Sequence, residues 1–190
     1  MEAFLISTGV VALAEMGDKT QLLSLLLAAR YRRPMPIILG ILLATLVNHA
    51  LAGAVGAWVQ AWMGPQLLRW VLGLSFLAMA VWVLIPDRLD EDEATRSPRW
   101  GVLATTFIAF FLAEMGDKTQ VATVALGARY DALAAVVAGT TLGMMVANAP
   151  AVLAGDRLTA RVPIARVHQV AAALFAALGV AVLLDLGQLF

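Results

Sequence analysis

The chain has 190 residues, 62% hydrophobic and only 14% charged, with no net charge and a mean hydropathy of +0.86. That balance lies outside the range of soluble domains and reads as a membrane protein, and nothing in it resembles a basic patch for nucleic acid. The lack of cysteine excludes disulfides, thiolate metal sites and cysteine nucleophiles.

Six apolar runs, at 3–28, 36–62, 66–85, 101–128, 132–155 and 168–189, are each long enough to cross the bilayer as a helix. About 30 Å of hydrocarbon needs roughly 20 residues at about 1.5 Å each. The first run has no basic leader region and no clear cleavage site, and it carries Glu15 and Asp18 at its centre. It is therefore expected to be a retained helix rather than a signal peptide. Arg30, Arg32 and Arg33 follow the first run, Arg88, Arg96 and Arg99 lie between the third and fourth, and Arg157, Arg161 and Arg166 between the fifth and sixth. Only Arg69 and Arg129 fall on the other side, so the positive-inside rule predicts that both termini face outward. Trp58, Trp62 and Trp70 suit an outer aromatic belt, and the polar stretch Pro86 to Trp100 reads as a cytoplasmic connector. Asp185 is expected near the outer surface and His168 at the cytoplasmic interface.

The octamer AEMGDKTQ occurs twice, at Ala14–Gln21 and Ala113–Gln120, an offset of 99 residues. The same offset aligns Arg30 and Tyr31 with Arg129 and Tyr130, Gly40 with Gly139, Ala50 with Ala149, Gly56 with Gly155, Val71 with Val170 and Phe76 with Phe175. The expected organisation is a first three-helix repeat over 1–86, a charged linker over 87–99 and a second repeat over 100–190. An odd number of crossings per half turns the second half over. The fold class is thus an all-α membrane protein of six transmembrane helices in two inverted repeats, a construction that in secondary transporters puts the substrate site at the repeat interface near the midplane.

Both octamers fall at membrane depth, where an ionised side chain costs at least about 2.5–3.5 kcal/mol and points to function. Glu15 with Asp18, and Glu114 with Asp117, stand at i and i+3, which on a continuous helix puts both carboxylates on one face with Lys19 or Lys118 beside them. Gly17 and Gly116 lie between the acids, where a glycine permits a kink or break. Thr20 and Gln21, with Thr119 and Gln120, add neutral oxygens. The motif charges sum to −2, which one divalent cation neutralises, and an oxygen-rich site suits Mg²⁺, Ca²⁺ and Mn²⁺. Closely packed acids repel, so exchange of the metal for protons follows. The lysines read as intrahelical counter-charges, with proton release as the alternative. Asn48 and His49, and Asn148 at the position matching His49, are supporting residues. His49 is open between a polar packing partner and a ligand, the latter favouring Mn²⁺ over Ca²⁺. Ser24 and Thr123 are expected either to line the ion path or to bond to backbone, and Gly40, Gly53, Gly56, Gly139, Gly143 and Gly155 to serve close packing.

The two copies of E-x-G-D-K-T, Glu15 to Thr20 and Glu114 to Thr119, resemble the signature of the Gdt family of cation transporters, and the resemblance covers essentially the whole chain. It implies a proton-coupled Ca²⁺/Mn²⁺ transporter with Glu15, Asp18, Glu114 and Asp117 as the ion-binding acids, and no cofactor. The chain lacks the N-terminal targeting extension of longer eukaryotic members, which points to a bacterial plasma membrane and manganese efflux. A Ca²⁺/H⁺ antiporter and an exporter of small organic cations or amino acids are the rival readings. A hydrolase has no support, since no HExxH or GxSxG occurs. The expected partners are the divalent cation and the lipid bilayer, and a homo-oligomer is compatible with both.

Overall fold

The computed structural model describes residues 1–85, 101–154 and 163–185. Among them are eight helices and no strand: α1 (Glu2–Glu15), α2 (Lys19–Tyr31), α3 (Pro34–Trp62), α4 (Pro65–Trp82), α5 (Val102–Glu114), α6 (Lys118–Arg129), α7 (Leu133–Ala154) and α8 (Ile164–Leu183). The linker 87–99, Gly155, Arg157, Arg161 and the end of the last apolar run lie outside the described residues.

Four helices, α3, α4, α7 and α8, are long and apolar enough to cross a membrane. They start where their sequences let them. Pro34 and Pro65 sit in the first turns of α3 and α4, where the missing N–H has no helical partner to lose. The expected runs 3–28 and 101–128 are not single helices. Each breaks in the middle of its octamer, because Gly17 (φ +83°) and Gly116 (φ +77°) take the left-handed region that side-chain-bearing residues avoid. The break also undoes the expectation that Glu and Asp of one motif share a helix face.

Pairs of helices related by the 99-residue offset pack in matching ways. α1 lies along α7 and α5 along α3; α2 meets α7 and α6 meets α3; α4 pairs with α8 and α3 with α7. Each pair of short helices is therefore held mainly by the long helix of the other half. Small residues make this approach possible, as expected where lipid leaves little hydrophobic drive between helices. A Cβ on Gly139 would come within 3.0 Å of Ser7 Cβ, and one on the matching Gly40 within 2.7 Å of Thr106 Cβ. At the α3–α6 crossing, a Cβ on Gly127 would meet the Gly53 carbonyl at 2.7 Å, and one on Gly56 would strike the carbonyl of Val124. Between α4 and α8, Phe76 and Phe175 pack as a tilted pair with ring centroids 6.4 Å apart.

The outer surface is greasy. Leu39, Leu43, Leu46 and Leu51 of α3 point away from the protein, as does Leu74 of α4. The polar residues in the middle of α3, Thr45, Asn48 and His49, are turned inward and buried. That is the reverse of a soluble helix and what a hydrocarbon solvent selects. Trp58, Trp62 and Trp70 are exposed around the α3–α4 turn, and Asp185 is exposed just after α8.

Candidate metal centre

Two helix breaks face each other at the centre of the bundle. α1 ends at Glu15 and α2 begins after Asp18; α5 ends at Glu114 and α6 begins after Asp117. The breaks are closed in the same way: the Asp18 N–H donates to the Glu15 carbonyl, and the Asp117 N–H to the Glu114 carbonyl, both at 3.1 Å. The orphan amides are also clasped alike. Gly17 N–H donates to Gln21 Oε1 at 2.9 Å, and Gly116 N–H to Gln120 Oε1 at 2.7 Å. The other amide ends tie each break to the opposite half, Gln21 Nε2 to the Ala147 carbonyl at 2.9 Å and Gln120 Nε2 to Asn48 Oδ1 at 3.5 Å. Asn48 in turn donates to the Phe111 carbonyl. The glutamines thus brace the breaks, with their oxygens engaged by backbone.

Glu15, Glu114 and Asp117 converge, with one carboxylate oxygen from each lying within 4.8 Å of the others, and all three are buried. Glu15 Oε2 and Glu114 Oε1 have no hydrogen-bond partner among the described residues. Asp18 is buried too but stands outside this group. Its Oδ1 accepts the Lys19 N–H at 2.7 Å, capping α2. α2 and α6 both start at the site, so their positive ends add to its attraction for carboxylates.

Each lysine reaches an acid of the other motif. Lys19 Nζ lies 3.2 Å from Asp117 Oδ1, and Lys118 Nζ lies 3.5 Å from Asp18 Oδ2, so the two ion pairs cross between the motifs. The helix breaks explain the crossing: without a continuous helix there is no i, i+4 face for a lysine and its own glutamate to share. Lys118 is fully enclosed and also donates to the Ile85 carbonyl, whereas Lys19 is one-fifth exposed, 20% against 1%.

Supporting side chains come from the long helices. Asn148 Nδ2 donates to Glu15 Oε1 at 3.3 Å and to the Met144 carbonyl, while its Oδ1 accepts the Ser24 hydroxyl at 2.8 Å. At the matching position, His49 Nε2 lies 3.8 Å from Glu114 Oε2. Thr119 donates its hydroxyl to Glu114 Oε2 at 2.9 Å and also lies 3.3 Å from Asp117 Oδ2. The Thr20 hydroxyl is buried with no hydrogen-bond partner. Thr123, the counterpart of Ser24, bonds instead to the carbonyl of Thr119 in its own helix.

His168, expected at the cytoplasmic interface, packs against the first break. It is buried, and its Nε2 lies 2.7 Å from the Met16 carbonyl. A carbonyl only accepts, so that nitrogen carries the hydrogen. No sequence signal marks this contact, which depends on how α8 crosses the first break.

A bundle of lipid-facing helices that buries three convergent carboxylates at paired helix breaks defines an integral membrane protein built to handle a cation. The sequence matches the family described as "Divalent cation/proton antiporter GDT1" over residues 3–91 and 102–188, and the chain belongs to that family of transporters. It is 56% identical over 178 residues to a Vibrio cholerae protein named "Putative manganese exporter", covering 92% of this chain and 87% of the relative. A GDT1-like protein of Synechocystis is 28% identical over 180 residues, covering 85% and 87%. The "Divalent cation/proton antiporter GDT1" of Saccharomyces cerevisiae is 22% identical over 231 residues, covering 92% and 81%. No solved structure matches the chain significantly.

Proposed function

We propose that the chain exports Mn²⁺ across the cytoplasmic membrane of a bacterium in exchange for protons, through a site built from both octamers. The observation that carries this reading is the approach of Glu15, Glu114 and Asp117 within 4.8 Å in a buried setting. Lys19 offsets only one of these three carboxylates; the remaining charge needs either a divalent cation or protons, and alternation between the two is exchange. Hard oxygen donors suit Mn²⁺ or Ca²⁺; the similarity to the Vibrio cholerae protein favours manganese. Asp18, with Lys118 opposite, would be a fourth carboxylate on the ion's route, and Thr20 and Thr119 would contribute or orient oxygens. Gln21, Gln120, Gly17 and Gly116 would keep the breaks open to the ion.

In the same reading, α1 with α2, and α5 with α6, each make one broken crossing. With α3, α4, α7 and α8 they give six crossings in two inverted repeats, 1–86 and 100–190, joined by the linker 87–99. Arginine placement then puts both termini outside. Matching contacts of the two halves support the arrangement, since broken helices meeting at a repeat interface are a recurrent basis for alternating access.

The test is Mn²⁺ flux in proteoliposomes under an imposed pH gradient. Flux should require the gradient and vanish in Glu15→Gln and Asp117→Asn. An absence of flux, or flux indifferent to both substitutions, rejects the proposal. Competition with Ca²⁺ in the same vesicles decides which ion is preferred.

A further inference from the structure

The offset that superimposes the two octamers also puts His49 and Asn148 in register, and each stands beside the glutamate of the opposite motif. Their chemical situations differ. Asn148 is fully committed: its oxygen accepts from Ser24, and its amide donates to Glu15 and to the Met144 carbonyl. With its oxygen occupied, Asn148 presents only N–H to the site and acts as a brace for Glu15.

His49 has none of those ties. The ring is completely enclosed, yet neither Nδ1 nor Nε2 has a hydrogen-bond partner among the described residues. A residue buried only for packing is expected to satisfy at least one ring nitrogen, because an enclosed polar atom without a partner is costly. The hydroxyl that could have done so is turned away, since Thr123 bonds to its own helix where the matching Ser24 crosses to Asn148. Nε2 lies 3.8 Å from Glu114 Oε2, and Glu114 belongs to the three-carboxylate group. Two donor atoms at that separation can bind one ion with bonds of about 2.1–2.5 Å.

We infer that His49 is a direct nitrogen ligand to the transported ion and makes the site selective for Mn²⁺ over Ca²⁺. The inference rests on the proposed transport function and deepens it. Imidazole suits transition metals, whereas Ca²⁺ takes oxygen, so one nitrogen in an otherwise oxygen site tilts preference toward the transition metal. The asymmetry also divides the labour, with one position holding a carboxylate in place and its counterpart touching the ion.

The decisive experiment has two readouts on the full chain. Pulsed electron paramagnetic resonance of the purified wild type loaded with Mn²⁺ alone should show modulation from one directly bound imidazole nitrogen. That signal should disappear in His49→Asn and persist in His168→Asn. In proteoliposomes, His49→Asn, which copies the residue at 148, should lower the Mn²⁺ to Ca²⁺ transport ratio by about tenfold or more. His49→Gln should do the same. Wild-type Mn²⁺ without a nitrogen signal overturns the inference, as does a transport ratio unchanged in both variants. A wild type that transports Mn²⁺ without the nitrogen signal rejects His49 alone; one that neither binds nor transports Mn²⁺ rejects the proposed function with it.

Discussion

The two octamers are identical in sequence and unequal in structure. Asp18 caps its own helix through Oδ1, whereas Asp117 has no such capping bond and joins Glu15 and Glu114. Lys118 is enclosed, while Lys19 reaches partly out of the protein. A Cβ on Gly17 would strike Ile164, but the same atom on Gly116 would meet nothing among the described residues. Identical residues acquire different roles because their neighbours differ: His49 against Asn148, Thr123 against Ser24. On the proposed reading, a single arrangement of an alternating-access exchanger holds its two halves in different conformations, which adds to the inequality that the differing neighbours create.

The largest effects should come where the motifs act together. Glu15→Gln and Glu114→Gln each remove a member of the carboxylate group, so each should cut Mn²⁺ flux in proteoliposomes by about two orders of magnitude or more. If only one does, the site belongs to a single motif and the comparison fails. The crossed ion pairs should separate the copies by stability. Lys118→Met removes a fully buried cation facing Asp18 and should cost about 3–5 kcal/mol. Lys19→Met, at a position that solvent partly reaches, should cost about 1–2 kcal/mol. Thermal unfolding in detergent measures both, and equal losses would mean that burial does not distinguish the pairs.

Which parts were legible in the sequence follows from which forces are local. Run length and hydropathy report burial in lipid, so α3, α4 and α7 match their expected spans within three residues at each end. The breaks were visible only as the glycines at 17 and 116; whether such a glycine bends a helix or ends it depends on what packs against it. The ion pairs were misjudged because an i, i+4 reading presupposes an unbroken helix, and the crossed pairing of Lys19 with Asp117 needs two segments far apart in the chain. His49 and Asn148 could be matched through the 99-residue offset. Their unequal bonding could not be, since it turns on where the Ser24 and Thr123 hydroxyls point.

The glycines offer a test of intermediate size. Any side chain at φ +83° or +77° adds strain of about 1–2 kcal/mol, so Gly17→Ala and Gly116→Ala both destabilise. Only Gly17→Ala must also push Ile164 aside, and overpacking adds about 1–3 kcal/mol. Its unfolding temperature should therefore fall further than that of Gly116→Ala. An equal fall would mean that α8 yields freely at the first break.

The smallest predicted difference lies one shell out from the acids. Ser24→Ala deletes the hydroxyl that holds the Asn148 oxygen, leaving that amide free to turn and Glu15 less firmly oriented. Outer-shell partners of this kind are worth about 10-fold at the low end, so the Mn²⁺ concentration for half-maximal flux should rise by about that factor. Thr123→Val preserves shape and removes only a bond within the same helix, so half-saturation should stay near the wild-type value. If the two substitutions act alike, the hydroxyl at position 24 contributes only locally, and the two sides of the site are equivalent where the structure has them differ.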